Sequence, residues 1–339
     1  MSSSQQSLVP KTSSLLGVQI LGTGSYVPER VVSNEDLREL YGFDPEWIVN
    51  RTGIHERRFA APHQATSDLC VQAAERCLSA AKVEPSEIDL VIVATMTADM
   101  SFPSTACLVQ DRLKLPCAAF DLQAACAGFI YALITGAQFI KTGTCNRVLV
   151  IGGDCNSRVI NPQDPKSYPL FGDGAGAVVL GAGEPNQGMV AYQFGADGSG
   201  GDLLNRPACG SRLPPSVEAL EQGLQYLTMD GRAVFKWAVR MLADSTNAVL
   251  TRASVPVDQV RWFIPHQANV RIIHAATDVL NINRDHVFKN LDRYGNTSAG
   301  SIPIALDELV RDGKVQRGDL LLTSGFGAGL TWGTTLLRW

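Results

Sequence analysis

Short apolar runs alternate along this chain with longer stretches of helix-period polarity. In the first half the runs fall at residues 90–94, 118–122, 148–151 and 177–180, and in the second half at 262–264, 320–323 and 334–337. Runs of this length, separated by helical patterns, predict strands and helices in α/β layers. The order also repeats. Ile92 and Ile264 are 172 positions apart, as are Val148 and Leu320, and the same shift lays residues 83–88 over residues 255–260. A duplicated chain is predicted, with an N-terminal half over 15–183, a C-terminal half over 184–339 and a boundary in the Gly, Pro and Asn cluster near 181–187. Residues 1–14, rich in Ser and Gln, read as a disordered tail with no secretory pattern.

The repeat draws attention to particular residues. Under the 172-residue shift Cys126 falls on Ser298, two positions from Asn296, and Ala94 falls on His266. Ligands of open α/β sheets gather at the carboxyl ends of strands. Cys126 follows the run 118–122 and precedes a long apolar helical pattern, so it is expected at a strand-to-helix turn. There the free amides and positive end of a helix would lower its pKa and cradle an oxyanion. The same residue type is also among the most buried in proteins, so these neighbours leave a small core residue and a nucleophile both open. His266 is expected at a strand end. Asn296, in Tyr294-Gly295-Asn296-Thr297-Ser298, lies in a turn before a helix starting near Ile302; its amide cannot titrate, but it can donate to a developing enolate.

Composition narrows the field. The 339 residues are 45% hydrophobic and 18% charged, as in a well-packed globular protein. A net charge of −4 provides no basic field for nucleic acid or an anionic membrane. The longest apolar run, from Ala124 to Ala137, has 14 residues, short of the roughly 18 that a membrane span needs. The eight cysteines contain no C-x-x-C pair, which argues against zinc and dithiol chemistry, and neither a metal nor a resident cofactor is expected. Gly22-Thr23-Gly24 has Val27 where a dinucleotide fingerprint needs glycine. No glycine-rich stretch ends in Gly-Lys-Ser/Thr, and no Gly-x-Ser-x-Gly elbow occurs.

Taken together, Trp47-Ile48-Val49-Asn50-Arg51-Thr52-Gly53-Ile54, Ala124-Ala125-Cys126-Ala127-Gly128-Phe129, Pro265-His266-Gln267-Ala268-Asn269 and Tyr294-Gly295-Asn296-Thr297-Ser298 resemble the β-ketoacyl-acyl-carrier-protein synthase III family, over residues 18–339. The resemblance implies a cytoplasmic homodimer with a thiolase-like, five-layered αβαβα fold. It implies that Cys126 takes acetyl or a short acyl group from acyl-CoA and that condensation with malonyl-acyl carrier protein follows. His266 and Asn296 would stabilise the carbanion, and the amides of Cys126 and Ala328 would form the oxyanion hole. Trp47, Arg51, Thr52, Gly231 and Phe235 would bind CoA. Gln267, Ala268, Asn269, Val270, Arg271 and Lys236 would meet the carrier protein, and Phe102 would line the partner's acyl pocket. The sequence departs from relatives at Pro165, with Lys166 beside it, where some have a basic residue near the nucleotide, at Arg232, where some have Asn, and at Ala328, where many have glycine. The alternatives are a starter-unit synthase or acyltransferase of polyketide or secondary metabolism, and a noncatalytic scaffold, which need not keep all three polar residues.

Overall fold

The structure, a computed structural model, describes residues 10–339. Strand β1 (Ser13–Leu16) is followed by β2 (Val18–Tyr26), and β3 (Val31–Ser33) pairs with β4 (Glu56–Arg58) as a small ribbon. The first half continues with β5 (Leu90–Ala94), β6 (Ala118–Leu122), β7 (Arg147–Asp154) and β8 (Gly174–Ala182). The second half supplies β9 (Gly188–Ala196), the ribbon of β10 (Leu204–Asn205) with β11 (Thr228–Met229), then β12 (Trp262–Pro265), β13 (Leu320–Gly327) and β14 (Thr331–Arg338). Two five-stranded sheets result, ordered β2-β8-β7-β5-β6 and β1-β9-β14-β13-β12.

The period of the strands explains the layering. In β5 and β7, Leu90, Ile92, Ala94, Val148 and Val150 face a core shared with Ile264, Leu321 and Leu337 of the other sheet. Between the sheets lie helices Gly128–Lys141 and Ser301–Arg311, which contribute Phe129, Ile130, Leu133, Ile302, Ala305 and Leu306. The alternate residues Val91, Val93, Leu149 and Ile151 point to the opposite face and pack under helix Thr66–Ala81. Phe263, Leu320, Leu322 and Leu336 likewise pack outward against helices Gly231–Ala253 and Val270–Leu280. Strands buried on both faces must be apolar at successive positions, which is why these runs stood out in the sequence. Helix, sheet, helix, sheet, helix makes the five-layered αβαβα thiolase-like fold.

The 172-residue shift carries β5 onto β12, β7 onto β13 and helix Gly128–Lys141 onto helix Ser301–Arg311. It breaks at β6, whose counterpart is the short helix Leu291–Tyr294. The sheets change over between Ala182 and Gly188. The expected tail needs correction. Residues 1–9 lie outside the described residues, but Ser13 and Ser14 belong to β1, which pairs antiparallel with β9. Gln193 Nε2 donates to the Pro10 carbonyl at 3.0 Å and to Thr12 Oγ1 at 3.1 Å. The open edge of the second sheet offers backbone partners that a polar segment can use, so this segment completes the C-terminal sheet.

Candidate active site

β6 ends at Leu122, and a 3₁₀ turn, Ala125–Ala127, carries the chain into helix Gly128–Lys141. Ala125 adopts φ +45°, a left-handed conformation that non-glycine residues seldom take. Cys126 is thereby held at the turn and is nearly buried. Its thiol donates to Ser298 Oγ at 3.4 Å. The end of β13 passes so close that a Cβ on Gly327 would sit 2.6 Å from Cys126 N. Thr331 Oγ1 ties the two segments together, donating to the carbonyls of Ala124 at 2.9 Å and Ala328 at 3.1 Å.

Contrary to the expectation from a helix start, burial pushes the Cys126 thiol up to about 12, while the Ser298 hydroxyl beside it pulls the other way. Desolvation opposes the thiolate more strongly than the turn stabilises it. Burial pushes the His266 imidazole down to about 3. Burial thus favours a neutral thiol and a neutral imidazole at neutral pH.

His266 follows β12. Its amide donates to the Ser324 carbonyl at 2.8 Å, Nδ1 lies 2.7 Å from Ser301 Oγ, and Phe326 packs edge-on against the ring. Asn296 is fixed through its backbone: its N–H donates to Leu170 O at 2.8 Å, and its carbonyl accepts from Gly172 N at 3.0 Å. Asn296 Oδ1 accepts from Ser298 N at 2.8 Å, so the acceptor end of the amide is occupied and Nδ2 remains to donate. Asp154, fully buried, holds the surrounding segments by accepting from Met96 N at 2.8 Å, Thr97 N at 3.1 Å and Ala299 N at 3.1 Å. The sequence reading did not single out Asp154, and the only signal was its place at the carboxyl end of β7.

Cys126, His266, Asn296 and Ala328 line one cavity of about 550 Å³. Trp47, Arg51, Thr52, Gly231 and Phe235 line the same cavity, along with Lys166, Arg232 and Arg271. Helix Pro45–Thr52 is held there by Asn269, which caps helix Val270–Leu280 and donates to Arg51 O at 3.1 Å. Thr52 Oγ1 is engaged internally, donating to Ile48 O and accepting from Ile54 N, so its contribution is one of shape. Met96, Leu204, Leu227 and Met229 complete an apolar lining; Leu204 and Met229 come from the ribbon of β10 with β11, whose two-residue strands are too short to leave a periodic pattern in the sequence.

Gln267 requires correction as a partner contact. It is 1% exposed, its Nε2 donates to Pro265 O and Phe288 O, and its Oε1 accepts from Asn290 N. Its neighbour Ala268 is also buried and lines the cavity, and Val270 packs against Gly53, whereas Arg271 and Lys236 are exposed. Phe102 stands apart from the cavity of its own chain and is 84% exposed.

Two duplicated α/β halves with cysteine, histidine and asparagine gathered at their seam define a thiolase-fold condensing enzyme. The family profiles for 3-oxoacyl-[acyl-carrier-protein (ACP)] synthase III match residues 120–198, and those for its C-terminal part match residues 250–339. The chain is 53% identical to the β-ketoacyl-[acyl-carrier-protein] synthase III of Rhodopirellula baltica, over 96% of this chain and 99% of that one. The crystal structure of 3-oxoacyl-[acyl-carrier-protein] synthase III from Aquifex aeolicus is similar with a TM-score of 0.89 at 46% identity, over 95% and 100% of the two chains. The priming β-ketosynthase of the R1128 polyketide pathway aligns with a TM-score of 0.87 at 37% identity, over 96% of each chain. The chain therefore belongs to the β-ketoacyl-[acyl-carrier-protein] synthase III family, acyl-transferring enzymes that carry out the initiating condensation. The polyketide alternative is not favoured, since that relative lies farther away.

Proposed function

We propose that this enzyme transfers acetyl or a short acyl group from acyl-CoA to Cys126 and condenses it with malonyl-acyl carrier protein to give 3-oxoacyl-acyl carrier protein. The observation that carries this reading is the arrangement of donors. His266 Nδ1 and Asn296 Oδ1 are both engaged by the protein, which leaves Nε2 and Nδ2 for the cavity that Cys126 shares. Neutral N–H donors in a desolvated pocket can stabilise an enolate with no metal or permanent charge.

In the first half-reaction Cys126 Sγ attacks the thioester carbonyl of acyl-CoA. The amides of Cys126 and Ala328 receive the oxyanion, and the intermediate collapses by breaking the bond to the CoA sulfur, which leaves as the thiol with the proton lost by Cys126. Trp47, Arg51, Thr52, Gly231, Phe235 and Lys166 surround the path of the nucleotide and pantetheine. In the second half-reaction His266 and Asn296 donate to the malonyl thioester carbonyl. The carboxylate leaves as CO₂, its bonding electrons form the enolate, and the enolate carbon attacks the acyl carbon on Cys126. Collapse of the intermediate breaks the carbon–sulfur bond and expels the Cys126 thiolate, which takes a proton from solvent to restore the thiol. Acyl-CoA is a substrate in this scheme, and the reaction belongs in the cytoplasm with its soluble carrier protein. The neutral carbanion donors also favour condensation over simple acyl transfer, which does not require them.

The test separates the half-reactions. Cys126→Ala should form no acyl-enzyme yet retain some decarboxylation of malonyl thioester. His266→Ala and Asn296→Ala should still accumulate labelled acetyl on Cys126, while decarboxylation and condensation fall by about 10²-fold, the usual effect of one missing oxyanion donor. Radiolabel trapping and CO₂ release are the readouts. Near wild-type condensation by either variant would overturn the carbanion hole.

A further inference from the structure

His266 presents one ring nitrogen to the protein and the other to the cavity, so its chemistry depends on which of them carries the proton. Nδ1 faces Ser301 Oγ across 2.7 Å, and both residues are 2% exposed. That distance alone does not say which atom donates. The other bond of Ser301 does. Its oxygen already accepts from the Gln267 amide at 3.4 Å, and among the described residues the hydroxyl proton has no acceptor other than Nδ1. A serine hydroxyl has one proton to place. Were Nδ1 protonated, two N–H groups would converge on Oγ and the hydroxyl proton would be buried without an acceptor, an arrangement native interiors avoid.

We infer that Ser301 is a positioning residue whose hydroxyl donates to His266 Nδ1, holding the imidazole as the Nε2–H tautomer with its single proton directed into the cavity that Cys126 lines. The consequence rests on the function proposed above; the tautomer does not. An Nε2–H imidazole can donate to a developing enolate oxygen, but it offers no lone pair with which to take the proton of Cys126. Ser301 thereby commits His266 to the condensation half of the cycle and leaves acyl loading to the cysteine turn and its amides. Its location supports this division of labour. Ser301 opens helix Ser301–Arg311 directly after the turn Ser298–Gly300, so one short segment orients both cavity donors: Asn296 through Ser298 N, and His266 through Ser301 Oγ.

The experiment uses the full-length enzyme labelled with ¹⁵N-histidine. The chain has five histidines, so the His266 signals are identified by their loss in His266→Ala. At neutral pH the wild type should show an unprotonated Nδ1 and a protonated Nε2, and Ser301→Ala should show a mixture. An Nδ1–H signal in the wild type would overturn the inference. In steady-state assays, Ser301→Ala should load acetyl on Cys126 within about twofold of wild type. Its condensation kcat should fall about tenfold with little change in KM, the order expected when a histidine loses the partner that orients it. Ser301→Thr, which retains the hydroxyl, should restore most of the rate. Equal loss of loading and condensation, or no loss of either, would reduce Ser301 to a packing residue. If the wild type failed to condense malonyl-acyl carrier protein at all, the functional reading would fall, and the tautomer spectrum would still judge Ser301.

Discussion

At the scale of single residues, burial dominates the chemistry of the site. It raises the Cys126 thiol and depresses the His266 imidazole, and both effects favour neutral groups. The histidine makes this measurable as stability. The unfolded chain titrates near the ordinary value of about 6.5, and the folded one only near 3. Between these values the unfolded state binds more protons, so the His266 contribution is complete above about pH 6.5 and is lost as pH falls toward 3. Asp154 and Asp173, raised by burial, titrate with the opposite sign. A comparison that leaves them in place is therefore needed. In urea unfolding at pH 7.5, 6 and 5, the stability difference between wild type and His266→Ala should shrink on acidification, by at most about 1.4 kcal/mol per pH unit below 6.5. A difference that did not vary with pH would mean that folded His266 protonates as readily as the unfolded chain.

At the scale of elements, the site depends on segments packed closer than side chains allow. A Cβ on Gly327 would lie 2.6 Å from Cys126 N and 3.1 Å from Ala125 Cβ, so the end of β13 and the cysteine turn would have to separate. Gly327→Ala should destabilise the fold by roughly 1–3 kcal/mol, as overpacking does. It should also slow acetyl loading by more than tenfold, because the turn that aims the thiol is displaced; thermal melts and acylation time courses would report both. Unchanged loading would show that the turn can tolerate the shift. For the helix Val270–Leu280 we propose a different role, in meeting the carrier protein. Its first turn exposes Arg271 beside Phe235 at the cavity mouth, with Lys236 on the adjoining helix. Carrier proteins are acidic, so Arg271→Glu should raise the KM for malonyl-acyl carrier protein several-fold while sparing acylation by acyl-CoA. Equal impairment of both half-reactions would assign Arg271 a role within the fold.

At the scale of the whole molecule, β6 forms an edge of the first sheet, and near it Met100 and Phe102 are exposed. An unpaired edge beside large exposed apolar side chains is a surface that another chain would cover. We propose that the covering chain is a second copy, with Phe102 placed against its neighbour's acyl pocket. Sedimentation velocity at assay concentrations should show a homodimer, and Phe102→Glu should shift it toward monomer with loss of condensation. A stable, fully active monomer would refute this assembly.

The sequence by itself determined the layered fold wherever strands are buried on both faces: the continuous apolar runs of β5, β7, β12 and β13 left little else they could form. It also drew attention to Cys126, which follows β6, to Asn296, which follows the helix Leu291–Tyr294 that replaces β6 in the second half, and to His266, which follows β12, and the motifs around them carried the family resemblance. It did not reveal β2 or β9, whose glycine and polar residues interrupt the apolar pattern. Nor did it reveal the fate of residues 13–16, because pairing to a remote sheet edge leaves no periodic trace. Only the tertiary structure decided that Gln267 is internal, that the thiol is held neutral, and that Asp154, Ser298 and Ser301 support the reacting groups. Desolvation and hydrogen-bond saturation depend on neighbours far apart in the chain: Cys126 and Ser298 are 172 residues apart, and Asp154 and Ala299 are 145.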